Sequence, residues 1–353
     1  MVLARKRIPS VLLVALMLLC AHPAVARTQE PDQKLTDLSL EELMGLDIIS
    51  INVLGTHTHL QGQWMVSYEY MHMSMRGERV GTQTVGNDTV LARFNASPTD
   101  MTMDMHMPMI MYAPTNDVTL TAMLPYLRKS MNHIDREGMR FIEESSGIGD
   151  LNVNALYTFY KTRTLAHRLI LNAGLNLATG SITRTQDNLP LEYPMQSGSG
   201  SFELLAGMTY LGQTPNWAVG AEAIPRIRLN ENSNHYRLGN QYRLTSWVAR
   251  KWTDWLSVSA RIDEQVLNAI HGADPALDPE DEPTKDPGIQ GGNRVDLSVG
   301  MNLYAPKGAL KGHRLAIEGT LPMYQSFDGP QLQTRWQVHV GWQWIFHTRK
   351  PKS

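Results

Sequence analysis

Leu151-Asn-Val-Asn-Ala-Leu-Tyr-Thr-Phe159 is the stretch on which the fold turns. In an extended chain, Leu151, Val153, Ala155, Tyr157 and Phe159 share one side, and Asp150, Asn152, Asn154 and Thr158 share the other. A period of two identifies a strand with one apolar and one polar face. The polar face is the informative one, because it recurs along the chain with charged residues in it.

The same alternation runs through 64–70, a Met-rich 99–111, 118–126, 151–159, 169–177, 202–210, 217–228, 238–248, 256–262, 295–303, 315–321 and 336–346, which gives twelve strands. Connections at 76–98, 127–147, 180–199 and 269–290 are long, and those at 229–235 and 324–331 moderate. Between them fall short ones at 112–117, 161–167, 212–216, 252–254 and 305–311, so long and short strictly alternate. That is the pattern of an outer-membrane barrel, with an even strand count placing both termini on the periplasmic side. The expectation is an all-β protein, a transmembrane antiparallel up-and-down β-barrel of about 12 strands over 62–346.

A soluble sandwich would also alternate, but it would have to bury the polar face. That face collects Glu69, Asp104, Asp150, Arg168, Glu203, Glu222, Arg226, Arg228, Arg237, Arg243, Arg261, Asp263, Arg294, Asp296, Arg314, Glu318 and Arg335. Each unpaired ion in a dry core costs several kcal/mol, whereas a polar lumen accommodates them. These seventeen residues are therefore candidates for lining the lumen and setting selectivity. The arginines either form a ladder that orients polar solutes or are paired off and fill the bore.

The start of the chain specifies export. Arg5, Lys6 and Arg7 precede an apolar run from Val11 to Cys20, and Ala24-Val25-Ala26 supplies a small-residue cleavage site, so 1–26 reads as a signal peptide. The run is shorter than the roughly 18 residues a membrane helix needs. Cleavage removes the single cysteine and three positive charges, turning a formal charge of −2 into −5. A thiol mechanism and a disulfide framework go with it. With 32 basic against 34 acidic residues, no nucleic-acid partner is expected. In 27–61, a periplasmic segment, Ser39 and Glu42 form a capping box that opens a short amphipathic helix over 35–44. Residues 347–353 read as a periplasmic tail. The expected partners are outer-membrane lipid and lipopolysaccharide, the barrel-assembly machinery and a small solute.

Two sequences carry a family resemblance: Gly147-Ile-Gly-Asp-Leu151, and Ser197-Gly-Ser-Gly-Ser-Phe-Glu-Leu204. They resemble the motifs of the MetA-type phenol-degradation family of outer-membrane barrels, over roughly 60–346. Met195-Gln stands before the second motif where family members often carry Pro. The resemblance implies a transporter or channel in the Gram-negative outer membrane, for a hydrophobic or aromatic compound.

Met101-Thr-Met-Asp-Met-His-Met-Pro-Met-Ile-Met111 and Met71-His-Met-Ser-Met75 stand apart from everything else. Thioethers and imidazoles suit Cu(I) or Ag(I), which nominates Met71, His72, Met73, Met75, Met101, Met103, Met105, His106 and Met107 as metal ligands. The competing expectation is apolar packing. The second strand would then turn its methionines to lipid, with Thr102, Asp104 and His106 inward, while Met71, Met73 and Met75 follow Glu69 inward. In the loop at 274–287, Pro275, Pro279, Pro283 and Pro287 recur among acidic residues, so a mobile, solvated segment is expected. No G-x-S-x-G or comparable motif is present, and no catalytic residue is nominated. A non-conducting structural or adhesive barrel is the remaining alternative.

Overall fold

The computed structural model describes residues 56–347. The segment 1–26 expected as a signal peptide, the helix expected over 35–44 and most of the expected tail lie outside them. The strands in chain order are β1 (Gln63–Gly81), β2 (Gln83–Val85), β3 (Ala96–Tyr112), β4 (Val118–Met123), β5 (Tyr126–Asp135), β6 (Arg140–Ile148), β7 (Leu151–Lys161), β8 (His167–Leu177), β9 (Thr185–Gln186) and β10 (Leu189–Pro190). They continue with β11 (Glu203–Gln213), β12 (Trp217–Arg228), β13 (Tyr236–Arg237), β14 (Gln241–Lys251), β15 (Leu256–Leu267), β16 (His271–Gly272), β17 (Gly292–Tyr304) and β18 (His313–His347). One short helix, α1 (Asn87–Leu91), follows β2.

Eleven strands close a ring in the order β1-β18-β17-β15-β14-β12-β11-β8-β7-β4-β3, with β3 pairing back onto β1; every pairing is antiparallel. The count differs from twelve because no break separates the last two expected strands. β18 pairs with β17 through 314–327 and with β1 through 327–347. Its halves lie side by side, the Ile345 amide donating to the Gly312 carbonyl at 3.2 Å and the Thr334 amide to Gln325 Oε1 at 2.9 Å.

β2, β5 and β6 belong to the same sheet but stand outside the ring. The segment 127–147, expected as a loop, is this β5–β6 pair, with Tyr126 opposite Ile148 and Ile134 opposite Arg140. β3 continues past β4 to pair with β5, so the wall is extended on one side. The free edge of β6 is met by a side chain: the Glu144 amide donates to Gln186 Oε1, and Gln186 Nε2 donates to the Ile142 carbonyl, both at 2.8 Å. That amide satisfies backbone groups that would otherwise need another strand.

The outer face carries aliphatic side chains between two aromatic belts. Ile110, Leu120, Leu171, Leu204, Val219, Val248, Val299 and Ile317 are exposed on this face. Tyr160, Trp217, Trp252, Trp255, Trp342 and Trp344 are exposed at the end that holds Gln63, hereafter the near end. Tyr126, Phe202, Tyr242, Tyr324 and Trp336 are exposed toward the far end. Such belts mark the two boundaries of a hydrocarbon layer. Val299, 62% exposed in the middle of β17, therefore faces hydrocarbon. Val299→Arg is expected to destabilise the membrane-inserted barrel by about 2–4 kcal/mol, measured by denaturant unfolding in lipid vesicles; an unchanged midpoint would contradict this placement.

Candidate functional site

Cross-strand partners share a face, so the inward side can be followed around the ring from buried Glu69. It carries Arg168 on β8, Glu203 on β11, Glu222, Arg226 and Arg228 on β12, Arg243 on β14, Arg261 and Asp263 on β15, Arg294 and Asp296 on β17, and Arg314 and Glu318 on β18. Most of these groups form ion pairs. Arg228 meets Glu203 at 2.9 Å, Arg243 meets Asp263 at 2.6 Å, Arg294 meets Asp296 at 2.9 Å, and Arg261 bridges Asp263 and Glu318. Asn176 donates to Glu203 and Thr245 to Asp263, so polar uncharged residues complete the network.

Four expected lining residues stand elsewhere. Asp104 pairs with His72, on the face opposite Glu69; it accepts hydrogen bonds from Tyr70 at 2.5 Å and lies 2.8 Å from His72 Nδ1. Arg335 is the extra residue where Ser74 pairs with Trp336 but Met75 with Thr334, and this bulge turns it out to bond the Arg76 carbonyl. Arg237 lies in a two-residue ribbon with His271 beyond the wall, because the chain between β12 and β14 is a far-end connection. Asp150 joins β6 to β7 and accepts from the amides of Gly180 and Ser199, at 2.9 and 2.8 Å.

The Asp150 contacts explain the two Gly-rich motifs. A Cβ on Gly198 would lie 2.4 Å from the Gly180 carbonyl carbon, and one on Gly180 would lie 3.0 Å from the Gly149 carbonyl carbon. The motifs meet, and only glycine permits three backbones to approach so closely.

The methionines are inward on both strands, which corrects the lipid-facing expectation for the second. Met71 pairs with Met105, Met73 with Met103 and Met75 with Met101, and Met107 is opposite Glu69. Antiparallel register settles this, since a shift of one residue would have exposed them all. For the same reason His72 and His106 point away from the thioethers; His106 Nδ1 is 2.6 Å from the Tyr68 hydroxyl. The M-H-M spacing therefore does not bring imidazole and thioether to one ligand set. Extending the same parity adds Met65, Met109 and Met111 to the inward wall, and His339 opposite Met71. Met65 shares the parity of Glu69 within β1 and was readable from it, whereas Met109 and Met111 on β3 needed the register.

The near end is filled. Met65, Met111, Leu156, Ile170, Leu211 and Trp247 form a buried inward cluster. Trp247 lies opposite Gly220, where a Cβ would meet its ring at 2.2 Å, so the missing side chain makes room for the indole. Thr56 to Leu60 cross the bore above this layer. Thr56 donates to Glu222 on β12, Arg168 on β8 to Thr58 at 3.4 Å, and the His59 amide to Thr119 on β4 at 3.0 Å, while His57 Nε2 lies 3.4 Å from Met65 Sδ on β1. No spacing signal in the sequence identifies such a plug, because its contacts come from four separate strands.

A family model described as "Putative MetA-pathway of phenol degradation" matches residues 80–305. No curated protein sequence matches the chain. The structure of an outer membrane channel from Pseudomonas putida F1 is similar at a TM-score of 0.59 and 12% identity, covering 82% of this chain and 97% of that one. The toluene transporter TodX of P. putida matches at 0.43 and 10%, covering 82% and 92%, and the KdgM porin at 0.40 and 11%, covering 80% and 99%.

Proposed function

Because the chain belongs to the phenol-degradation family whose model matches residues 80–305, we propose that it is an outer-membrane channel for small solutes that combine an apolar ring or chain with a polar group. The observation that carries this reading is the two-sided inward face. One side offers paired arginines and carboxylates, the other a continuous run of methionines on β1 and β3. Methionine is apolar, polarizable and adaptable in shape, so it accepts flat or irregular apolar bodies without a rigid pocket. The fixed charges facing it orient a hydroxyl or carboxylate. The comparable outer-membrane folds are channels, transporters and porins. Export through a cleaved signal and a lipopolysaccharide environment belong to the same proposal.

The test is single-channel recording of the refolded protein in planar bilayers, with phenol and benzoate added to one side. Discrete current steps that either solute interrupts support the reading. A folded barrel that carries no current and protects no solute flux defeats it in favour of a structural or adhesive barrel.

The three cross-strand Met–Met pairs favour a second reading, passage or capture of a soft monovalent cation. Silver nitrate, standing in for Cu(I), should then block the steps. Replacing Met71, Met73, Met103 and Met105 together by Leu should remove the block while preserving the fold, since Met to Leu nearly conserves volume. A block that survives these replacements assigns the silver to another site.

A further inference from the structure

Away from the lumen charges, three far-end elements converge on one buried point. β5 supplies His133, inward-facing and 0% exposed. The connection between β10 and β11 supplies Glu192, also 0% exposed, and the acidic connection between β16 and β17 supplies Glu282, nearly as buried. His133 Nε2 lies 3.3 Å from Glu282 Oε2 and 3.9 Å from Glu192 Oε1, and the three candidate donor atoms lie within 4.8 Å of one another.

The polar accounting there is incomplete. Thr284 donates to Glu282 at 3.3 Å and Lys285 reaches it at 3.4 Å. Among the described residues, neither oxygen of Glu192 receives a hydrogen bond, nor does Glu143 Oε2 beside it, and His133 Nδ1 has no hydrogen-bond partner, its Nε2 meeting only the two carboxylates. Buried polar groups without partners cost free energy and call for an unseen proton, water or ion.

The surroundings are built rather than loose. Leu191 and Met195, flanking Glu192, pack on Met101 and Met131. Tyr193 and Leu277 pack with Tyr236, and the Asp274 amide donates to the Tyr193 hydroxyl at 3.0 Å. The proline-punctuated acidic segment, expected to be mobile and solvated, is thus anchored; Asp274 and Glu282 are buried in it. His133 is held by stacking on Phe141 at 4.8 Å.

We propose that His133, Glu192 and Glu282 form a site for a divalent transition-metal cation, with Zn2+ as the ion taken, which clamps both connections to the barrel wall. One imidazole and two carboxylates suit zinc, which accepts nitrogen and oxygen ligands at about 2.0–2.2 Å, better than the all-oxygen preference of Ca2+ or Mg2+. A contraction of the present spacing closes the shell. Glu143 supplies either a fourth ligand or an outer carboxylate.

The experiment uses the full chain, refolded in detergent, stripped with EDTA and titrated with ZnCl2 at neutral pH. Metal content after desalting should reach one zinc per chain, tryptic cleavage at Lys285 should be suppressed, and Ca2+ should do neither. Glu192→Gln and His133→Gln should each lose stoichiometric zinc and restore cleavage; heat-modifiable migration on gels reports that they still fold. Wild-type protein that binds no zinc, together with a Glu192→Gln variant at least as resistant to trypsin, would overturn the proposal and assign the site to a proton shared between Glu143 and Glu192. Zinc bound equally by wild type and both variants would also overturn it.

Discussion

A refolded chain that begins at Gln61 should carry several times the single-channel current of the full-length protein. Thr56 to Leu60 are the reason. They touch β1, β4, β8 and β12, which stand on different sides of the ring, so these residues occupy the bore rather than line it. Current through a water-filled pore is set by its narrowest section, and removing a strap across that section widens it. The full-length chain with Gly at positions 57 to 59 should show an intermediate effect, with frequent brief openings, because the strap loses its grip on Met65 and Arg168 but stays tethered to Gln63. An unchanged current in both variants would move the constriction to the apolar layer of Met65, Leu156, Ile170 and Trp247, and Trp247→Ala would then be the variant that conducts.

Arg261→Met is expected to be among the most destabilising single changes in the wall, at about 3–5 kcal/mol. Arg261 and Glu318 are 4% and 1% exposed, and they bridge β15 and β18 across β17. Removing the guanidinium strands Glu318 without a counter-charge, while Asp263 keeps Arg243 at 2.6 Å. The converse change, Glu318→Gln, should cost less, because Arg261 still has Asp263 at 3.3 Å. The pair replaced together should be more stable than Arg261→Met alone, since no buried charge is left unpaired. Urea titration of vesicle-inserted protein measures all three. Equal losses for the two single variants would mean that water in the lumen screens the pair and that the network is only filling.

The alternation of Leu151 to Phe159 and its relatives was enough to place the strands of the ring, though not β2, β5 or β6 outside it, together with the barrel class and most of the inward charges. Side chains of a strand alternate by covalent geometry, so parity is written into the sequence. Arg168, Glu203, Glu222, Arg226, Arg228, Arg243, Arg261, Asp263, Arg294, Asp296, Arg314 and Glu318 were legible for that reason. Asp104 and the methionines beside it were not, because parity within one strand leaves open which face is inward; only the register of β3 against β1 chose. Arg335 was misplaced by a bulge, which shifts parity without any residue type announcing it.

What the sequence by itself determined is therefore local: strand periodicity, the order of long and short connections, and the glycine motifs. The tertiary structure alone decided which distant segments meet. It brought Thr56 to Glu222, Gly149 to Gly198 through Gly180, and His133 to Glu192 and Glu282. Contacts between residues tens to hundreds of positions apart depend on ring closure and on how the far-end connections fold, and neither has a period that one strand can record.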